Sequence, residues 1–148
     1  MTPAKQLAAF IRKFSPENAA LIKGSLKKMR ALFPNAVQLV YDNYNFLVVG
    51  FGPTEKPSEA IFSLAAFAGG LILCFLQKGP KLKDPGKLLR GAGKVVRNIR
   101  LADAGDLDKP EVRALITQAL VLAKRPMDES TRGNLIIKSI SAKQRPRR

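Results

Sequence analysis

The residues with the most evident chemistry in this chain are cations set among glycines. Between Gly79 and Leu101 the sequence reads GPKLKDPGKLLRGAGKVVRNIRL, which places Lys81, Lys83, Lys87, Arg90, Lys94, Arg97 and Arg100 around four glycines and one acid, Asp84, with Lys78 at its entrance. Glycine leaves backbone N–H groups open to a phosphate and the cations supply charge, so the stretch is a candidate anion site. Arg97 and Arg100 offer the forked guanidinium that suits phosphate or carboxylate. Tyr41, Asn43 and Tyr44 are candidate pocket residues, able to add hydroxyl and amide hydrogen bonds from a neighbouring hairpin. There is no Gly-x-x-x-x-Gly-Lys-Ser/Thr motif, and Gly91-Ala92-Gly93 alone is a weak signal.

Composition narrows the chemistry further. The 148 residues contain no histidine and one cysteine, Cys74. Ser-His, Cys-His and histidine-rich zinc sites are thereby excluded, and no catalytic or metal-binding constellation is expected. Cys74 lies in the apolar run LILCFL, where a buried structural thiol in a reducing, cytoplasmic setting is expected. Twenty-six Lys and Arg against eleven Asp and Glu give a net charge of +15, a balance that favours anionic partners. No cofactor is implied.

Positioning those cations requires a sheet and helices. Thr2-Pro3 and Ser15-Pro16 are helix starts, and the apolar spacing predicts helices from Pro3 to Phe14 and from Pro16 to the stop at Pro34. The runs Ala36–Tyr41 and Phe46–Phe51 predict an antiparallel hairpin, and Ile61–Phe67 with Leu71–Leu76 a second one about Gly69-Gly70. The uncharged stretch Ala60–Leu76 is broken by those glycines and is shorter than the roughly 20 residues of a membrane span, so no membrane partner is expected. Asp84-Pro85 predicts one short helical turn, and Lys94–Leu101 a strand with Arg97 among apolar neighbours. A half-buried Arg97 needs a partner, either a ligand anion or one of Asp84, Asp103 and Asp106. Asp108 and Glu111 form a capping-box pattern ahead of a helix to Ala123. Asn134–Ile140 reads as an edge strand that leaves the chain a monomer or weak dimer. The domain spans residues 1–123, with a connector and edge strand over 124–140. Residues 141–148, SAKQRPRR, form a basic tail that either contacts phosphate or is a disordered end.

Together, Tyr41-Asp42-Asn43-Tyr44-Asn45, the hairpin IFSLAAF/LILCFL, the segment LKDPGKLLRGAG with Lys94, Arg97 and Leu101, and LDKPEVRALI make nearly the whole chain resemble the YdhG-like domain family. The resemblance implies an α+β fold, an antiparallel sheet with N-terminal helices and a C-terminal helix mainly on one face. That agrees with the order of elements read from the residues. One branch of the family resembles frataxin-type iron chaperones, which implies iron delivery as one role. Iron at a protein surface needs clustered carboxylates, and the first two helices hold only Glu17. The expected function is a non-enzymatic module that binds an anionic small molecule or acidic partner. Non-specific nucleic-acid binding is the alternative.

Overall fold

Hydroxyl caps and prolines open the first two helices in the same way. Thr2 Oγ1 accepts from the Lys5 N–H and Ser15 Oγ from the Asn18 N–H, both at 3.2 Å, ahead of α1 (Pro3–Ile11) and α2 (Pro16–Leu32). α1 ends before Phe14 because Lys13 and Phe14 bond back three residues, to Phe10 O and Ile11 O. That tighter turn delivers the Phe14 ring into the core.

The computed structural model describes residues 1–130 and 132–148. After α2 the chain runs through an antiparallel meander: β1 (Val37–Asp42), β2 (Leu47–Gly52), β3 (Phe62–Phe67), β4 (Gly70–Phe75) and β5 (Arg97–Leu101). α3 (Pro110–Leu122) follows, and β6 (Leu135–Ile140) returns parallel to β1, giving the order β5-β4-β3-β2-β1-β6. The fold is α+β, with a six-stranded, mostly antiparallel sheet.

Register decides which side chains meet the helices. Cross-strand rows Val40–Val49–Leu64–Leu73–Ile99 and Phe51–Phe62–Phe75 share one face and one contiguous core with Leu7, Phe10, Ile22, Leu26, Met29, Val112, Leu115 and Ile116. All three helices therefore pack on that face, and burial of this apolar surface is the main stabilising term. Successive residues on the same strands point the other way. There the rows run Leu39–Gly50–Ser63–Cys74–Asn98 and Tyr41–Val48–Ala65–Ile72–Arg100. Cys74 is half-buried on that side, and burial pushes its thiol up against a smaller opposing effect from Ser63.

Two start signals are placed differently from expectation. The capping box closes one turn earlier, between Asp103 and Asp106, and caps a 3-10 turn over Ala104–Asp108. Lys109 then occupies the N-cap of α3, because Asp108 is drawn off to Lys28 and Arg113. Asp84 starts no helix; its two carboxylate oxygens accept from the Leu88 and Leu89 N–H groups at 3.0 and 2.8 Å and close a loop. Among the described residues, no helix is long and apolar enough to cross a membrane.

Candidate functional site

The basic segment is a lobe pinned to the sheet margin beside β5. Leu82 is buried in the core, and the Gln118 side chain of α3 clips the Lys83 backbone, accepting from its N–H at 2.8 Å and donating to its carbonyl at 2.9 Å. Gly79 N–H donates to Val95 O at 2.7 Å, and Arg90 pairs with Asn98 as a single antiparallel bridge beyond the edge strand. A Cβ on Gly79 would lie 2.8 Å from both Arg97 N and Val95 O, so the chain closes there only with glycine. Backbone atoms fix the lobe, and its cations remain on the outside.

Most of those cations divide between two grooves, while Lys83 and Arg97 line neither. One, of about 430 Å³, is lined by Lys78, Lys81, Lys94 and Lys124 with Ser58, Gln77 and Val95. The other, of about 240 Å³, is lined by Lys87, Leu88, Arg90, Arg100 and Lys109, with Asp106 bonded to Lys109 at 3.0 Å. Among the described residues no acid lines the first. Lys78 and Lys87, one at each groove, have φ of 51° and 53°, the only positive values outside glycine among the described residues. Such a backbone costs about 1–3 kcal/mol, and strained residues of this kind occur in turns and cluster at functional sites. Lys124, contributed from beyond the end of α3, had no signal in the sequence; 30 residues separate it from Lys94.

Among the described residues Arg97 is paired with no acid. Its guanidinium bonds the Gly93 carbonyl and, at 3.0 Å, the Val96 carbonyl. The strand begins only at Arg97, on an edge, so the side chain swings toward the exposed loop and avoids the desolvation that required a carboxylate. Asp84, Asp103 and Asp106 are satisfied by local backbone and Lys109.

The pocket candidates lie elsewhere. Tyr41 shares a cross-strand row with Arg100, but β2, β3 and β4 intervene, a separation of roughly 19 Å at the usual strand spacing. Burial pushes the Tyr41 hydroxyl up. Asn43 Oδ1 accepts from Ser139 Oγ at 2.9 Å. Tyr44 stands exposed at the β1–β2 turn with the Arg145 guanidinium 5.5 Å from its ring centre.

What surrounds Tyr44 is the C-terminal arm, docked rather than loose. Arg147 is 4% exposed and Asp42 fully buried; Arg147 Nη2 donates to Asp42 Oδ1 at 3.0 Å and to Asn43 O at 2.6 Å. Lys13 Nζ holds the other Asp42 oxygen at 2.7 Å. Gln144 bonds Asp42 O, the Arg145 N–H bonds Tyr44 O, and Arg148 reaches the Lys13 and Arg12 carbonyls. Burial pushes the Asp42 carboxyl up, but hydrogen bonds from Lys13, Gln144 and Arg147 and the Lys13 charge outweigh it and hold the group below the usual carboxylate range.

Comparison with family models, curated proteins and solved structures gives no match. The site must therefore be read from its own chemistry. Among the described residues no group of three or more metal-ligating Cys, Asp or Glu side chains comes together. Of Asp103, Asp106, Asp108 and Glu111, the acids an iron role would draw on, Asp106 is bonded to Lys109, Asp108 to Lys28 and Arg113, and Asp103 accepts from the Gly105 N–H.

Proposed function

We propose that this protein is a binding module for an anionic ligand, held in the lysine groove of the β5 lobe. The observation that carries the reading is the convergence of Lys78, Lys81, Lys94 and Lys124 on one groove whose lining contains no acid. None of the four forms an ion pair among the described residues, so their mutual repulsion is relieved only by solvent ions or a bound anion. Lysine is a compact point charge that binds phosphate without demanding a planar partner. Beside the lysines, Leu76, Pro80 and Val95 give an apolar wall against which a small organic phosphate can pack, and Ser58 and Gln77 are polar. The YdhG-like resemblance belongs to the same proposal and adds no ligand to it.

Thermal unfolding in the presence of pyrophosphate tests the reading. Pyrophosphate at a hundredfold excess over its Kd should stabilise the folded chain by about 2.7 kcal/mol. Lys81→Glu with Lys94→Glu should abolish that shift and leave the unliganded midpoint nearly unchanged, because both side chains are exposed. An equal shift in the doubly reversed variant would remove the groove from the site.

A further inference from the structure

The opposite end of the sheet carries a second acid-free groove, and it differs from the first in being aromatic. It measures about 380 Å³ and is lined by Asn45 and Phe46 from the β1–β2 turn, Phe67 and Ala68 from the β3–β4 turn, and Arg145, Pro146 and Arg148 from the C-terminal arm. The Phe46 and Phe67 rings meet edge to face, 5.6 Å between centres at 72°. Tyr44, 48% exposed, stands beside the lining and carries the groove's Arg145 over its ring. The Arg100 guanidinium lies 5.6 Å from the centre of Phe67 and bonds the Gly69 carbonyl.

Two glycines make this arrangement. A Cβ on Gly69 would meet the Phe67 ring at 2.5 Å, and one on Gly70, at φ +142°, would meet Arg100 Nη2 at 2.8 Å. Their missing side chains leave the space that the ring and the guanidinium occupy. Arg100, Arg145 and Arg148 have no carboxylate partner among the described residues. Arg100 also lines the groove of Lys87 and Arg90, so one side chain joins the aromatic groove to the basic lobe.

We infer that this groove binds the nucleobase of a phosphate-bearing ligand, with single-stranded nucleic acid as its source. A bare anion has no use for aromatic walls. An unpaired base does, because it stacks on Tyr, Phe or an arginine plane while the adjacent phosphates meet guanidinium groups. The continuation through Arg100 to Lys87 and Arg90 suits further phosphates of a strand. Reading is by stacking and charge, so binding tolerates sequence and weakens with salt. A duplex hides its base faces and fits poorly.

Anisotropy of a labelled mixed-sequence 12-nucleotide single strand, titrated with the full chain at low and moderate salt, tests this inference. Saturable binding is expected, with Tyr44→Ala and Arg145→Ala each weakening it about tenfold. Both are exposed, and circular dichroism checks that the variants fold. Lys81→Glu with Lys94→Glu should leave the Tyr44 effect intact, which separates this groove from the lysine groove. Competition by adenosine monophosphate as effective as by the oligonucleotide would replace the strand with a free nucleotide as the source of the base. Binding that is equal for an abasic strand or a duplex, or absent at low salt, would overturn the inference.

Discussion

Replacing Asp42 with alanine is expected to destabilise the protein by about 3–5 kcal/mol, the range for removing one partner of a buried ion pair. The loss has a structural cause at both ends of the pair. Arg147 is 4% exposed, and its Nε and Nη1 are buried without a hydrogen-bond partner among the described residues. Without the Asp42 carboxylate, an entire guanidinium remains desolvated with the Asn43 carbonyl as its acceptor and the Phe14 ring 5.8 Å from it. Arg147→Ala should cost less, about 2 kcal/mol, because Asp42 keeps Lys13 at 2.7 Å. The double variant should lose less than the sum, since neither charge is then stranded. Denaturant midpoints at neutral pH, compared at constant m, measure all three. A change under 1 kcal/mol for Asp42→Ala would show that the arm is held by its backbone bonds alone.

The same pair sets an acid dependence. Asp42 has a folded-state pKa below its unfolded value, so the stability it contributes is fully present above roughly pH 3.9 and is lost as pH falls through the folded value. Stability therefore rises with pH across that window, and Asp42→Ala should flatten the rise. It should not abolish it. Asp106 and Asp108 are also held low by Lys109, Lys28 and Arg113 and contribute in the same direction.

Periodicity and capping made the helices and hairpins legible because these are local properties: a hydroxyl, a proline and an i, i+3, i+4 stripe lie within one turn of each other. The basic lobe was legible as charge and not as geometry. Nothing local tells Lys81 from Lys87, yet they line different grooves, and the separation depends on Gly79 closing against Val95 and on Gln118 reaching from α3. Arg97 illustrates the limit of alternation, which gives the side a residue takes and not how far a long side chain turns at an edge. The docking of the tail was not legible for a related reason. Four cations and little apolar content left a phosphate contact or a disordered end as the readings, but Asp42, a hundred residues earlier, is buried at the end of β1 and is met by Arg147. The aromatic groove was hidden in the same way, since Phe46, Phe67 and Arg145 come from three separate segments.

Phe62→Ala should also cost about 3–5 kcal/mol, here through a cavity rather than a charge. The ring is fully buried in β3, stacked on Phe33 at 5.2 Å and 18° and meeting Phe75 edge-on at 5.8 Å. Phe33 follows the last turn of α2, so this stack ties the end of that helix to the middle of the sheet. Phe62→Leu keeps most of the volume and should lose less, about 1–2 kcal/mol. A thermal or urea midpoint separates the two, and equal losses would mean that the aromatic stacks, not the filled volume, carry the energy. β3 begins with Phe62 and ends with Phe67, so one strand serves the core at one end and the aromatic groove at the other. Under conditions where Phe62→Ala remains folded, it should bind the single-stranded oligonucleotide with nearly unchanged affinity, whereas Tyr44→Ala should keep its stability and bind about tenfold more weakly. Parallel losses of stability and affinity in both variants would mean that the groove exists only as a by-product of core packing.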